Sequence, residues 1–210
     1  VRDAQGRKMS KSLNNGIDPL SAIAEFGADA LRFSLVVQEG SGRSFLMGES
    51  RVENYRNFTT KIWNAMRFCE MNECTHGDFD LSKVQQPVNK WMMTKLSLAA
   101  KEIAKWLDTY AFNEASNTLY HFVWNTFCDR YLEAIKPIFY GSDESAKVET
   151  RAVMGAVMDA TLQLIHPFMP FISEELWDKT TTRDQMLMET SWPDWSKFED
   201  LETLKSWPQR

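Results

Sequence analysis

Cysteine is scarce in this 210-residue sequence, and it is unpaired. Cys69, Cys74 and Cys128 are odd in number and show no C-x-x-C spacing. A disulfide framework and a zinc site are therefore both poorly supported. Buried free thiols in a reducing cytosol fit better, which makes the expected location cytoplasmic. No stretch approaches the ~18 consecutive apolar residues that a membrane helix needs, and the N-terminus is not a signal peptide. Net charge is −5, so no global basic field announces a nucleic-acid partner. Strand signals are sparse, and internal repeats and low-complexity runs are missing. There is no initiator methionine, and the opening "VRDAQG" reads as a piece cut from a longer protein.

What is present is an ordinary globular balance, 43% hydrophobic and 25% charged, with many aromatic residues. The charge is uneven. Residues 1–16 carry Arg2, Arg7, Lys8 and Lys11 against Asp3 alone, and residues 51–67 carry Arg51, Arg56, Lys61 and Arg67 against Glu53 alone. The chain is acidic from Phe171 onward. Two local basic faces on an acidic body are the pattern of a binder of anions.

Turn formers bracket the first face. "RKMSKSLNNG" lies between Gly6 and Gly16 and reads as loop. Asp18 then caps a helix with Pro19 at its first position, ending at Gly27, and a second helix follows from about Asp29. "GSGRSFLMG", 40–48, reads as a linker. Beyond it the apolar spacing is helical: 49–73, roughly 88–108, a third helix capped by Asn113 and ended by Pro137, and a fourth over roughly 144–165. A short fifth follows near Ser173. The expected architecture is all-α, an antiparallel helix bundle behind a loop and two connecting helices. The expected boundaries are 1–48, 49–195 and a partly disordered tail, 196–210.

The loop's chemistry centres on "KMSKS", residues 8–12. Lysine is a compact cation with three donors, and serine hydroxyls beside it can complete a phosphate site on a loop able to close over a reacting group. On charge alone the same cluster also reads as a solvated basic turn. The literal string resembles the signature loop of the class I aminoacyl-tRNA synthetases at all five positions, Lys8 to Ser12. "IDPL" and "EFGADALRF" (Glu25 to Phe33) follow in the family's order. Three later blocks look like its valine-specific members: "NFTTKIWNAMRF" (Asn57 to Phe68), "FCDRYLEAIKP" (Phe127 to Pro137) and "HPFMPFISEELW" (His166 to Trp177). The sequence departs from the family at Asn14, where glycine is usual, and Gly16 is expected to supply the backbone freedom instead.

The resemblance implies that a parent enzyme activates valine with ATP and magnesium and transfers it to tRNA(Val), with this part supplying the loop and an anticodon-binding bundle. It implies that Lys11 contacts ATP and stabilises the departing pyrophosphate, that Lys8 assists, and that Ser10 and Ser12 shape the loop. It also implies anticodon contacts at Lys61, Arg67 and Phe68, a pairing of cations and an aromatic that suits an unstacked base. The alternative is that Phe68 is core and the cations form a solvated face. The other motif of the family, "HIGH"-like, is not in the sequence: His76, His121 and His166 stand in other contexts, so these 210 residues alone are expected to be inactive. His121 and His166 are expected in the core, with Trp63, Trp91, Trp106 and Trp124. An isoleucine-type synthetase and a stand-alone helical RNA- or protein-binding module are the competing readings.

Overall fold

The computed structural model describes residues 1–38, 44–75, 77 and 79–206. The expected linker at 40–48, His76 and the end of the tail lie wholly or partly outside that set. Among the described residues the chain is helical, with isolated β-bridges joining Arg2 to Lys8 and to Leu46. These bridges lay the first residues, the loop and the 44–47 segment side by side.

Helix α1 (Pro19–Phe26) begins as the sequence dictates: Asp18 accepts from the Ser21 amide, and Pro19 needs no donor of its own. Gly27, at φ 91°, turns the chain directly into α2 (Ala28–Val36). The long helices are α3 (Glu49–Met71) and α4 (Pro87–Asp108), then α5 (Phe112–His121), and α7 (Glu144–Ile165), α8 (Pro170–Thr180). Between α5 and α6 (Leu132–Tyr140) the chain stays helical as a π-helix, Phe122–Tyr131. Three helical segments thus replace the single expected third helix. Its cap is Ala111, and the Asn113 side chain bonds Glu114 instead. Pro137 does not end it, because the helix runs on to Tyr140. Three residues of helix follow the proline, and the helical hydrogen bond lost is the one its nitrogen would have given to the Glu133 carbonyl.

One continuous core joins α3, α4, the π-helix, α7 and α8. Phe58, Ile62, Met92, Leu96, Ile103, Phe127, Tyr131, Val157 and Leu162 are each at most 1% exposed. A smaller cluster of Ala30, Met47 and Val52 packs under the loop. Cys69, Cys74 and Cys128 are free and buried. A polar knot pins the start of α4. The Glu149 carboxylate accepts from the amides of Gln85 and Gln86 at 2.8 Å and from Asn89 at 2.9 Å, while Tyr131 donates to Asn89 at 2.9 Å. The carboxylate meets donors that a helix start leaves unpaired, so the buried charge is compensated.

Two expectations of burial fail. His121 is exposed, with Nδ1 3.2 Å from Asn125 Nδ2 one turn on, and Trp63 is 39% exposed. His166 is half-buried, with Nδ1 2.9 Å from Ser173 Oγ. The described tail is structured: Trp195 is buried, and Ser196–Phe198 and α9 (Leu201–Ser206) pack along α4, where Glu199 accepts from Ser97 and Lys101.

Candidate anion loop and nucleic-acid interface

The loop is built by its own polar side chains. Asp3, 5% exposed, accepts from the amides of Gln5 and Arg7, from the Arg7 guanidinium and from Asn15 Nδ2 at 2.9 Å. The Asn15 bond foremost, with the Arg7 contacts, holds the Asp3 carboxyl down at about 2 against the opposing effect of burial. Asn15 also accepts from the Ser10 amide at 2.9 Å, so one asparagine ties both ends of the loop to Asp3. Ser10 caps the short 3₁₀ turn Lys11–Leu13 by accepting from the Leu13 amide, and its hydroxyl lies 3.1 Å from that of Ser12. Both serines thus shape the loop from inside. Lys8 and Lys11 are exposed, and neither forms an ion pair among the described residues. Asn14 itself takes the left-handed conformation, φ 46° and ψ 37°, closing the turn through its amide to Lys11. The freedom expected at Gly16 is therefore used two residues earlier, by the non-glycine residue best suited to it.

The connecting helices are latched to the bundle. Asp29 in α2, buried, accepts from the amides of Phe171 and Ile172 in the first turn of α8, at 3.3 and 2.6 Å. Arg32, one turn on, donates to the Phe168 and Pro167 carbonyls. Burial pushes the Asp29 carboxyl up from its usual range, and the two amides work against that shift. The motifs "EFGADALRF" and "HPFMPFISEELW" are thus two halves of one junction. Spacing alone could not pair them, because they lie more than 130 residues apart.

On α3 the three expected anticodon residues receive different surroundings. Arg67 is exposed and has no ion pair among the described residues. Phe68 is half-buried against the core, its ring 6.0 Å from that of Phe139. Lys61 is engaged twice: its ammonium lies 2.5 Å from Asp129 Oδ1 and 4.1 Å from the centre of the Trp124 ring. Trp124 stacks in turn on Tyr120 at 5.5 Å, and Tyr120 meets Phe58 at 4.8 Å. Cys128, beside this group, is pushed up to about 12 by burial. Asp129 and Trp124 were not read as site residues from sequence. No signal could have found them, since they share a face only through the π-helix.

Comparison with known proteins follows this geometry. Residues 89–207 match the family described as the anticodon-binding domain of tRNA ligase. The chain belongs to this family of tRNA ligases. Residues 1–45 match the class I tRNA synthetases of the I, L, M and V group, so the loop and the bundle come from one class of ligase. The valine–tRNA ligase of Mesorhizobium japonicum is 49% identical over 207 residues, covering 96% of this chain, and that of Caulobacter vibrioides is 50% identical over 199 residues, covering 92%. The chain spans about a fifth of their length, 22% of each. In structure it resembles the LeuRS of a LeuRS–tRNA–LeuAMS ternary complex from Agrobacterium radiobacter, with a TM-score of 0.69 at 22% identity, over 93% of this chain and 23% of that one. That likeness establishes the synthetase fold. No helix among the described residues is long and apolar enough to cross a membrane. None of their His, Cys, Asp and Glu side chains form a group of three that could hold a metal ion.

Proposed function

We propose that this chain is the part of a valine–tRNA ligase that carries the phosphate-contacting loop and reads the anticodon of tRNA(Val). In this reading residues 1–48 close the catalytic domain, 49–195 bind the anticodon arm, and 196–210 form the tail. The protein acts in the cytoplasm. What carries the reading is the synthetase loop, with its two lysines free of ion pairs among the described residues, on the same chain as an anticodon-binding bundle that resembles valine–tRNA ligases over nearly all of its length.

In the whole enzyme, ATP and valine form valyl-adenylate. Negative charge moves onto the departing pyrophosphate, and a cation that meets that charge lowers the barrier. Lys11 has this role. It sits on the 3₁₀ turn that Ser10 caps, and Lys8 adds to the local field. Magnesium would travel with the nucleotide phosphates. On the bundle, Arg67 meets the RNA backbone, Phe68 offers its exposed edge to a base and Lys61 faces the same strand.

The test is binding of a valine tRNA, and of the same tRNA with its anticodon replaced, to the 210-residue chain. The native anticodon should be preferred. Phe68→Leu should keep the contact with Phe139 and shrink the preference, since base stacking on an aromatic contributes ~1–3 kcal/mol. Equal binding of both tRNAs by the wild type removes the anticodon reading.

A further inference from the structure

We infer that Asp129 is a specificity-determining residue of the anticodon face: it withholds Lys61 from the RNA backbone, so that Arg67 attracts phosphate generally whereas Lys61 responds only to a ligand that displaces the carboxylate. The inference rests on the anticodon-binding reading above and assigns different work to two cations that look equivalent in sequence.

The socket that holds Lys61 exists because of the π-helix. In an α-helix, residues 124 and 129 would lie about 140° apart around the axis. In a π-helix the hydrogen bonds run from i to i+5, so residues five apart stack one above the other. Trp124 and Asp129 accordingly share one face, and the Lys61 ammonium from α3 sits against both, on the ring face at 4.1 Å and on the carboxylate at 2.5 Å. The Lys61 side chain retains 25% of its exposure and Asp129 50%, so the pair is reachable from solvent. A half-exposed ion pair adds little to folding stability. Its effect on binding is larger. A passing phosphate meets a neutral pair with the negative member more exposed, and the counterion release that drives non-specific binding is lost at this position. Arg67, six residues further along α3, is exposed and has no ion pair among the described residues.

The decisive measurements are salt-dependent affinities of the 210-residue chain for oligouridylate and for a valine tRNA, in wild type, Asp129→Asn, Lys61→Ala and the double variant. Asp129→Asn should tighten oligouridylate binding roughly fivefold at low salt and steepen the log–log salt slope by about 0.7, the value for one more phosphate contact on a single strand. It should also reduce the preference for the native anticodon. Both gains should vanish in the double variant, and Asp129→Glu should behave as wild type. Mass-spectrometric amine acylation, which involves no RNA, should show Lys61 slow in wild type and fast in Asp129→Asn. A wild type that binds RNA while Asp129→Asn leaves slope and affinity unchanged overturns the inference alone. So does a gain that survives Lys61→Ala, because it would then be a general charge effect. Failure of the wild type to bind either RNA overturns the anticodon reading, and this inference with it.

Discussion

Asn14 shows how one residue can satisfy a backbone demand that a family usually meets with glycine. Its φ of 46° puts it in the left-handed region, which asparagine tolerates better than other side chains. Its amide donates to Lys11 at 3.2 Å, so the conformation closes the turn beneath the lysine that the proposed mechanism uses. Asn14→Gly should therefore leave the loop unchanged, while Asn14→Val, branched at Cβ, should destabilise this turn by about 1–2 kcal/mol. Amide exchange at Asn14 measures it: the valine variant should exchange roughly tenfold faster in local opening, the glycine variant at the native rate. Equal protection in both would mean that Asp3 and Asn15 hold the turn without help from Asn14.

At the scale of elements, α8 is positioned by a carboxylate that belongs to α2. Phe171 and Ile172 are early residues of α8 whose amides have no partner within their own helix, and Asp29 supplies one. Asp29→Ala leaves the buried Ile172 donor unsatisfied and should cost about 2 kcal/mol, read as a lower urea midpoint at unchanged slope. Asp29→Asn keeps an acceptor and should recover part of this. The pH dependence has a definite sign. Burial raises this carboxyl above its ordinary 3.8, so the folded protein holds the proton longer than the unfolded chain does. Its contribution to stability is greatest below 3.8 and declines as pH rises through the higher folded value. The decline attributable to this group should disappear in Asp29→Asn. A pH profile identical in wild type and variant would show that the two amides cancel the effect of burial.

For the whole molecule, the loop's lysines are open to solvent and the motif that completes the adenylate site is not in these 210 residues. Valine-dependent pyrophosphate exchange by this chain alone should stay at background, whereas tRNA binding should persist. Exchange above background in material free of other synthetases would place a complete activation site within these helices and overturn the division of labour proposed here.

Much of this was readable along the chain. Asp18 and Pro19 start α1 by local chemistry, apolar residues at spacings of three and four set α3, α4 and α7, and the literal string "KMSKS" carries a family resemblance where its charge alone also fits a solvated turn. These features depend on neighbours within a few positions, where chain geometry is nearly fixed. The remainder needed contacts between distant segments. Pro137 marks a helix end in sequence, yet Ile138 and Phe139 beyond it pack against the core and the helix runs on to Tyr140. His121 and Trp63 sit among apolar neighbours in sequence but fall on outward faces. The Asp29 latch and the Lys61 socket join segments 68 or more residues apart. The socket also depends on a change of helical period, which a 3.6-residue repeat cannot express. Residue types specified which groups could bind an anion, and the folded arrangement selected which of those charges remain free to do so, because a cation's pull on RNA depends on the carboxylate that packing sets beside it.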